Sequence, residues 1–471
     1  MILDDNVTAL VGAVAAVAHV AIAGAVTVHV LLYKRSVGAA VSWIGIAWLS
    51  PFMGGLLYAI MGINRVKRRA QRLRRQRQPL LLATSDGARG STDSLTPLEY
   101  AVGRLTGLPS KPGNLVEMLR SGDQAYPRML EEIGRAQKSV GLCSYIFRAD
   151  AAGEKFHEAL IDARKRGVEV RVLIDGIGGG YFWSGTYDRL RKAGVPVARF
   201  LHSYFPWRTP FLNLRNHRKL LVIDGKVAFT GGLNIGAENV IATNPAHPVR
   251  DTHFRLEGPV VEQLTDAFAD DWLFTTGEHL PDTDWFPPLE PVGTVSARVV
   301  PSGPDEDMEQ IEFVALHAIS CARESIRVVT PYFLPGEPLT MALGLAAMRG
   351  IRVDILLPEN SNHAILDWAR RVPLRPLIEV GCRIWLMPAP FDHSKLMTID
   401  DSWSFIGSAN WDTRSFRLNF ELNVELHDAA FARQIVESAT PQQRLTLADI
   451  DGDPLPIRLR NSAARLLQPY L

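Results

Sequence analysis

Two long apolar runs open the chain and predict a pair of membrane helices. The runs Val7 to Tyr33 and Val37 to Ile63 contain no Asp, Glu, Lys or Arg. Each run is longer than the roughly 20 apolar residues with which a helix crosses a bilayer. Pro51 would kink the second helix, and His19 and His29 weaken the apolar character of the first. The runs predict a helical hairpin that is transmembrane or re-entrant, with a buried soluble hairpin as the alternative.

Beyond residue 100, short β-branched runs alternate with helical stretches, and this alternation occurs twice. Residues 138–147 resemble residues 324–333, and residues 166–175 resemble residues 349–358, with a helical stretch between the two segments each time. Strands that alternate with helices are typical of α/β folds. We therefore expect two α/β sandwich domains that are related by an approximate twofold axis.

The same patterns divide the chain into four segments. They are the hairpin at 1–63, a basic juxtamembrane segment and linker at 64–100, a first domain at 101–280 and a second domain at 281–471. A stretch rich in Pro and acidic residues near residue 280 marks the connection between the two domains. We expect any composite site to lie where the two domains meet.

Charge adds an orientation to this picture. Residues 65–77 carry eight basic residues and no acidic residue, whereas the hairpin loop carries two basic residues. The positive-inside rule then places both domains in the cytoplasm, and such a segment also attracts anionic lipids. The net charge of the chain is +1, and outside this segment acidic residues outnumber basic ones. This balance argues against nucleic acid as a partner.

One short polar pattern occurs in both halves at identical spacing. A His is followed by one residue, a Lys, four residues, an Asp, six residues, a Gly-Gly or Gly-Ser pair, one residue and an Asn. The first copy holds His217, Lys219, Asp224, Gly231 and Asn234, and the second holds His393, Lys395, Asp400, Gly407 and Asn410. Two equal sets imply one composite site that is built from both halves.

The residue types in this pattern suit an anionic phosphodiester. The apolar run after each Lys predicts a strand, and residues two apart on a strand share a face, so each His projects with its Lys. A His can act as a nucleophile or as a general acid and base, while Lys and Asn donate to phosphoryl oxygens. The Gly pair allows a ligand to approach the backbone closely. Asp224 and Asp400 complete the catalytic set as strand-end residues that hold the loop through backbone bonds.

The doubled pattern resembles that of the phospholipase D superfamily, and the whole chain is most similar to bacterial cardiolipin synthases. Matching segments include residues 250–260, which begin Arg-Asp-Thr-His, and residues 407–421, which begin Gly-Ser-Ala-Asn and end Asn-Phe-Glu. The loop at 388–392 departs from the family pattern because it lacks a glycine. The departure concerns the shape of the acceptor site and leaves the expected chemistry unchanged.

The resemblance implies a reaction and a location. One phosphatidylglycerol is attacked at phosphorus, glycerol leaves and a phosphatidyl-histidine forms; a second phosphatidylglycerol then attacks it and cardiolipin is released. No metal and no other cofactor is implied. The implied partners are phosphatidylglycerol and other anionic phospholipids, and the implied location is the bacterial inner membrane. A homo-oligomer is compatible with the sequence, which leaves the oligomeric state and the acceptor lipid open.

The resemblance also suggests a division of labour, with His217 as nucleophile and His393 as general acid and base. A nucleophilic His needs a carboxylate at its far nitrogen to fix its tautomer. We expect Asp251, which follows His217 in the first half, and Glu421, which follows His393 in the second, to serve their own half's His. The residues expected to bind substrate are Asn234, Asn410, Asp251 and Glu421.

Three other functions compete with this interpretation: phospholipase-type hydrolysis, a nuclease and a membrane scaffold without activity. The two intact motifs argue against a scaffold, and the apolar hairpin argues against a nuclease. The aromatic stretch at 204–211 is interpreted as a lipid gate, with ordinary packing as the alternative. The three cysteines are scattered without a CxxC pair, which supports neither a zinc site nor a disulfide and suits a reducing compartment.

Overall fold

The computed structural model describes residues 5–34, 37–50, 52–62, 96–202, 214–303, 309–439 and 441–468. The basic segment at 65–77, most of the expected linker and the aromatic stretch at 204–211 lie outside the described residues. The apolar N-terminal residues and the residues from 96 onward belong mainly to two separate compact units, which are described in turn.

The first apolar run forms one helix, Asp5–Tyr33. Its segment Ala9–Tyr33 is, among the described residues, the one helix long and apolar enough to cross a membrane. The second run is not continuous and comprises a helix Val37–Leu49, a short helix Met53–Leu57 and a π-helical turn Tyr58–Gly62. Pro51, where a kink was expected, lies outside the described residues, and the second run on either side of it forms separate helices. A hairpin that crosses the bilayer twice stays a prediction.

Side chains of the two apolar runs pack against each other. His29 Nδ1 lies 2.6 Å from the Tyr58 hydroxyl, and Trp48 Nε1 donates to Thr27 Oγ1 at 3.0 Å. The buried residues between the runs are Ala23, Val26, Val30, Ala47 and Tyr58. Since polar groups among apolar ones are stable only when paired, these two contacts fix the runs as a hairpin.

The residues from 96 onward form the α/β part of the molecule. Its strands, in chain order, are β1 Lys111–Arg120, β2 Ser139–Ser144, β3 Glu169–Asp175, β4 Val197–Phe200, β5 Arg215–Asn216, β6 Leu220–Ile223, β7 Val227–Gly231, β8 Val249–Arg250, β9 Thr252–Glu257, β10 Val295–Ser302, β11 Ser325–Val329, β12 Phe333–Leu334, β13 Arg352–Pro358, β14 Arg383–Met387, β15 Phe391–Asp392, β16 Leu396–Ile399, β17 Trp403–Gly407, β18 Trp411–Asp412, β19 Asn419–His427 and β20 Gln443–Leu445. Its α-helices are Thr96–Thr106, Ser121–Arg135, Ala151–Lys165, Gly185–Lys192, Val260–Thr276, Asp282–Trp285, Gln310–Cys321, Glu337–Met348, Ala364–Glu379, Thr413–Arg417, Ala429–Ser438, Leu447–Asp451 and Leu455–Arg465.

One sheet runs through both halves of this part. Its strand order is β20-β14-β13-β11-β16-β17-β19-β10-β1-β9-β7-β6-β2-β3-β4. Outward from the antiparallel pair β1 and β10, the first half reads β1-β9-β7-β6-β2-β3-β4 and the second reads β10-β19-β17-β16-β11-β13-β14. Equivalent strands occupy equivalent places, and the strand–helix–strand units expected in each half are confirmed. The twofold relation and the boundary at residue 280 stay predictions.

Each half has its own apolar core, because its parallel strands are covered by helices. In the first half, Val140, Val172 and Leu221 from three strands pack against Phe156 and Leu160 of the helix Ala151–Lys165. In the second half, residues of β11, β13 and β16 pack in the same way against the helices Gln310–Cys321 and Glu337–Met348. The two cores hold the strand ends, and hence the polar residues that follow them, in fixed positions.

Two short parallel strand pairs cross from one half to the other. β5 of the first half pairs with the start of β19, joining Arg215 to Asn419. β15 of the second half pairs with β8, joining Phe391 to Val249. In each half the crossing segment comes directly before the His of the repeated motif. The crossings therefore place each motif against a strand of the other half.

Candidate active site

The two motif histidines are anchored through their backbone to the opposite half. The amide of His217 donates to the carbonyl of Phe420 at 2.9 Å, and the amide of His393 donates to the carbonyl of Arg250 at 2.7 Å. Both imidazoles are largely buried, and both line one cavity of about 1010 Å³. The structure brings the two motif histidines to one cavity, as expected for a composite site made of two halves.

The cavity combines cationic, amide and apolar groups. Its polar lining includes Arg148, Arg215, Asn234, Asn410, Arg414 and Asn419, and its apolar lining includes Ile146, Ile177, Ile365, Leu366 and Phe391. A lining of this kind suits a ligand with an anionic centre and apolar arms.

Each imidazole contacts a carboxylate through Nδ1. His217 Nδ1 lies 3.0 Å from Glu421, and His393 Nδ1 lies 2.8 Å from Asp251. Because an ionised carboxylate only accepts hydrogen bonds, Nδ1 carries the proton in each ring and donates it. Nε2 is then left with its lone pair, which is the state that a nucleophile or a general base requires.

The carboxylates are exchanged between the halves, so the expected pairing of each with its own half's His is wrong. Glu421 belongs to the second half and serves His217 of the first, while Asp251 belongs to the first half and serves His393 of the second. The strand crossings are the cause, because each lays the carboxylate-bearing segment beside the opposite motif. Asp251 and Glu421 are also almost fully buried behind the imidazoles, so they position the histidines and are not the substrate-binding residues we expected.

Glu421 is surrounded by hydrogen-bond donors. Ser408 Oγ donates to it at 2.5 Å and Asn419 Nδ2 donates to it at 3.0 Å, in addition to His217. Burial alone would raise the pKa of this carboxyl, but His217, Lys219 and Ser408 hold the pKa below its usual value. Glu421 is therefore an anion at neutral pH, and it stabilises positive charge on His217.

Asp251 has fewer donors. Besides His393, its donor is the backbone amide of Thr252 at 2.7 Å. Burial raises the pKa of Asp251 to about 6, against the attraction of Lys395. The positions equivalent to Ser408 and Asn419 in the first half hold Gly232 and Val249, which bring no side-chain donor.

The two lysines lie beside the histidines and are buried. Lys219 Nζ donates to the carbonyl of His217 at 2.6 Å, and Lys395 Nζ donates to the carbonyl of His393. Burial lowers the pKa of Lys219 to about 7 and that of Lys395 to about 8. A bound phosphoryl anion would favour the charged forms of both.

Burial also keeps the imidazoles neutral. It lowers the pKa of His217 to about 4, and Glu421 offsets only part of this effect. It lowers the pKa of His393 as well, with Lys395 and Lys219 acting in the same direction. A phosphate between the two rings would raise both pKa values by compensating the lysine charges.

Comparison with known proteins shows relatives along almost the whole chain. The sequence model described as cardiolipin synthase, PLD-like domain, matches residues 129–272 and 315–440. The chain is 33% identical to the major cardiolipin synthase of Bacillus subtilis strain 168 over 93% of this chain and 95% of the relative. It is 31% identical to a cardiolipin synthase of Geobacillus thermodenitrificans over 93% and 90% of the two chains.

The chain belongs to the cardiolipin synthase family. A solved structure titled phosphatidylserine synthase, from Haemophilus influenzae, has the same fold, with a TM-score of 0.61 and 15% identity, over 80% of this chain and all of the other. Both matches of the family model include one copy of the His-Lys-Asp motif.

The motif aspartates of this family member lie away from the cavity. Asp224 accepts the backbone amides of residues 137–139, and Asp400 accepts those of residues 323–325, at 2.7–3.2 Å. Both adopt positive φ, 52° and 49°, in the turn after the motif strand. The backbone bonds were expected, but the catalytic assignment of Asp224 and Asp400 is corrected: they fix the turn and the strand that carries each His and Lys.

The glycine pair approaches protein and not ligand. A Cβ on Gly232 would collide with the carboxylate of Asp251, and Gly231 has a positive φ of 143°. The missing side chains therefore admit the carboxylate-bearing segment at the start of β9. The motif asparagines do line the cavity: Asn234 Oδ1 accepts the amide of Ile146 at 3.2 Å, and Asn410 Oδ1 is buried with no hydrogen-bond partner among the described residues.

Several residues of the site were not identified from the sequence. Tyr145 packs edge-on against His217 at 4.9 Å between ring centroids, and Tyr332 packs against His393 at 6.0 Å. Tyr145 directly follows β2, and Tyr332 follows Thr330 and Pro331 after the equivalent strand β11, which is a usable signal. Arg218 is turned away from the cavity and pairs with Asp271 at 2.9 Å. Among the described residues, no cluster of His, Cys, Asp and Glu could hold a metal ion.

Proposed function

We propose that this chain is a phosphatidyltransferase that joins two phosphatidylglycerol molecules into cardiolipin and releases glycerol. One observation carries the proposal: two histidines line a single cavity, and each is backed by a buried carboxylate and lies beside a buried lysine. Two His-Lys sets around one phosphate can break one ester and make another without free water as acceptor. Membership in the cardiolipin synthase family supports this reaction over hydrolysis.

In the first step, His217 Nε2 attacks phosphorus and the bond to the glycerol oxygen breaks. The imidazole becomes positively charged as the P–N bond forms, and the anionic Glu421 stabilises that charge through Nδ1. Binding of the phosphate anion raises the pKa of His393, whose Nε2 then takes up a proton from solvent and gives it to the departing glycerol. The product of this step is a phosphatidyl-histidine, and the proton needed by glycerol has come from His393.

The lysines act on the phosphoryl oxygens. Lys219 and Lys395 are fixed next to the two histidines and lie in surroundings from which water is largely excluded. The attraction between a lysine cation and a phosphoryl anion is stronger there than in water. Each lysine can thus neutralise negative charge that grows on the phosphoryl oxygens in both transition states.

In the second step, the neutral His393 takes a proton from a hydroxyl of the second phosphatidylglycerol. The resulting oxygen attacks phosphorus, and the bond to His217 breaks. His217 regains its lone pair, cardiolipin is released and His393 is protonated again for the next cycle. The bonds and protons of the two steps balance, and neither step uses a metal.

Two buried side-chain oxygens at the cavity are evidence that the substrate has a glycerol head group. Asn419 must point its Nδ2 at Glu421, because the carboxylate needs a donor. Its Oδ1 is buried, without a partner among the described residues, as is Oδ1 of Asn410. Buried acceptors of this kind are stable when a hydroxyl donates to them. The hydroxyls of glycerol are suitable donors, so Asn410 and Asn419 are proposed to bind the head group.

The location of the protein is proposed from its apolar helix and from the basic residues that follow the hairpin. The apolar helix Asp5–Tyr33 indicates a membrane-associated protein. We place the protein in the bacterial inner membrane with the domains 101–280 and 281–471 facing the cytoplasm, because eight basic residues follow the hairpin. Anionic phospholipids are the expected partners and nucleic acid is not. Protease access to the C-terminus from the periplasmic side would contradict this orientation.

The decisive experiment incubates the purified full chain with phosphatidylglycerol in excess EDTA and identifies the products. Cardiolipin and glycerol in equal amounts are expected. Phosphatidic acid as the main lipid product would instead show a hydrolase. Activity that is lost in EDTA and restored by a divalent cation would overturn the metal-free steps.

A further inference from the structure

A glycine-rich loop on the edge of the cavity carries two exposed aromatic residues. This rim loop, residues 176–184, follows β3 directly, and its Ile177 lines the cavity. Phe182 and Trp183 at its tip are 65% and 86% exposed. Aromatic side chains of this size are usually half-buried or more. Two of them in sequence at a cavity edge indicate a surface that is covered in the working protein.

The rim loop is held in one conformation. Asp175 accepts the amides of Ile177 and Gly178 at 2.9 and 2.8 Å. Arg199 Nη2 donates to the carbonyl of Tyr181 at 2.7 Å. Gly180 has a φ of 94°, and a Cβ there would collide with the carbonyl of Trp183. The exposure of the aromatic pair is therefore a fixed feature of a built loop.

The rim loop is hydrogen-bonded, through Asp175, to the segment that carries His217. The second carboxylate oxygen of Asp175 accepts the amide of Asn216 at 2.7 Å, and Asn216 directly precedes His217. A contact made by the loop tip is thus made at a fixed distance from the nucleophile. This suits a surface against which the cavity must be positioned.

Charge next to the loop favours an anionic partner surface. The helix Gly185–Lys192, which begins where the rim loop ends, carries the exposed Arg191 and Lys192 against one acidic residue, Asp188, while its third cation, Arg189, pairs with Glu154 at 2.6 Å. Aromatic residues beside basic ones are typical of contacts with the interface of an anionic bilayer. The apolar helix Asp5–Tyr33 indicates that such a bilayer is at hand.

We infer that Phe182 and Trp183 insert into the interfacial region of the bilayer and hold the cavity edge against the lipid surface. The substrate phospholipid then enters the cavity along the rim loop without passing through water. This inference rests on the proposed function for its substrate, and the insertion itself can be measured independently of any reaction.

Insertion is tested by fluorescence quenching in reconstituted full chain. Vesicles of phosphatidylglycerol and phosphatidylcholine contain a lipid brominated near the carbonyl end of its acyl chain. The wild type holds ten tryptophans, so the signal of Trp183 is the difference from Trp183→Phe. We expect this difference signal to be quenched by the shallow bromines. An unquenched difference signal overturns the inference.

Its consequence for substrate entry is tested by kinetics. Phe182→Ser/Trp183→Ser should raise the KM for phosphatidylglycerol in vesicles about tenfold, a loss of about 1.4 kcal/mol. The rate with a short-chain, monomeric phosphatidylglycerol should not change, because that substrate enters from water. Phe313→Ser is the control, since Phe313 is 49% exposed and does not line the cavity.

The outcomes separate the two hypotheses. Equal losses on vesicles and on the monomeric substrate would mean that the pair supports the site itself, which contradicts membrane insertion. Unchanged kinetics on both substrates would contradict a role in substrate entry. A wild type without transferase activity would refute the proposed function, while the quenching result would still decide whether the aromatic pair enters the bilayer.

Discussion

The two half-sites share one motif but differ in what surrounds it. Around His217, Glu421 receives donors from Ser408 and Asn419 and has a lowered pKa. Around His393, the carboxylate of Asp251 has a backbone amide in place of those side chains, and its pKa is raised to about 6. A repeated catalytic motif is thus compatible with two different electrostatic environments.

The two carboxylates have different donors because two equivalent positions of the halves hold different residues. Ser408 of the second half occupies the position that Gly232 has in the first half, and Asn419 occupies the position of Val249. With its three side-chain donors, Glu421 is suited to balance the positive charge of a histidine that has formed a bond to phosphorus. Asp251, closer to neutrality, suits a histidine that gains and loses a proton in each step. The asymmetry supports His217 as nucleophile and His393 as general acid and base.

The largest effect is expected from removing either imidazole. His217→Ala and His393→Ala should each lower kcat about 10⁴-fold. A phosphatidyl ester of p-nitrophenol separates the roles, because its alcohol leaves without a proton. Formation of p-nitrophenol should be rescued in His393→Ala and not in His217→Ala. Rescue of the opposite variant would reverse the assignment.

The carboxylates should follow the exchanged pairing. Glu421→Gln should slow formation of the phosphatidyl-histidine about 10²- to 10⁴-fold, because an amide cannot stabilise the charged ring. Asp251→Asn should spare the p-nitrophenyl substrate and slow the reaction of phosphatidylglycerol. Rapid quenching with labelled donor measures the two steps. If Asp251→Asn alone blocked the covalent intermediate, the exchanged pairing would have no role in catalysis.

The pH dependence of kcat/KM should reflect the pKa values of Lys219 and Lys395. The lowered pKa values, about 7 for Lys219 and about 8 for Lys395, mean that each cation is lost as the pH rises through these values. kcat/KM should therefore fall above pH 7, by up to tenfold per unit for each lysine. Lys219→Arg should weaken the first part of this fall, since Arg stays charged. A kcat/KM that is constant up to pH 10 would contradict it.

A smaller effect on kcat is expected when Ser408 of the second half is replaced by the glycine that the first half has at the equivalent position. Ser408→Gly removes a donor from Glu421 and should lower kcat about tenfold. It should also raise the pH below which kcat falls, because the pKa of Glu421 rises. Ser404→Gly is a control, as Ser404 is buried on the preceding strand β17 and does not contact Glu421. Equal pH profiles for Ser408→Gly and wild type would argue against the proposed asymmetry.

The smallest effect on rate is expected at the motif aspartates. Asp224→Ala and Asp400→Ala each remove an acceptor of three backbone amides and should lower the free energy of unfolding by about 1–3 kcal/mol. kcat of the folded fraction should change by less than tenfold. Thermal unfolding of the full chain measures the first quantity. A variant of full stability whose kcat is lost would restore these aspartates to the catalytic set.

Much of this architecture could be predicted from the sequence, because local patterns determine it. The apolar run Val7 to Tyr33, the strand–helix–strand repeat and the composite site follow from periodicity and spacing. The division of the second apolar run into separate helices was not predicted, since no charged residue interrupts the run. The partners of Asp251 and Glu421 were assigned to the wrong halves because sequence distance does not reveal which strands pair across a domain contact. Phe182 and Trp183 show no pattern in sequence, since exposure is a property of the fold.

The strand crossings also constrain how such a protein can arise. A lone half would hold a histidine and a carboxylate that cannot reach each other, so it could be active only as a pair of identical copies. In such a pair, symmetry would make both active-site pairs the same. Once both halves lie in one gene, each pair can change independently. Ser408 in the place of Gly232 is a difference that two halves of one chain can carry and two identical copies cannot.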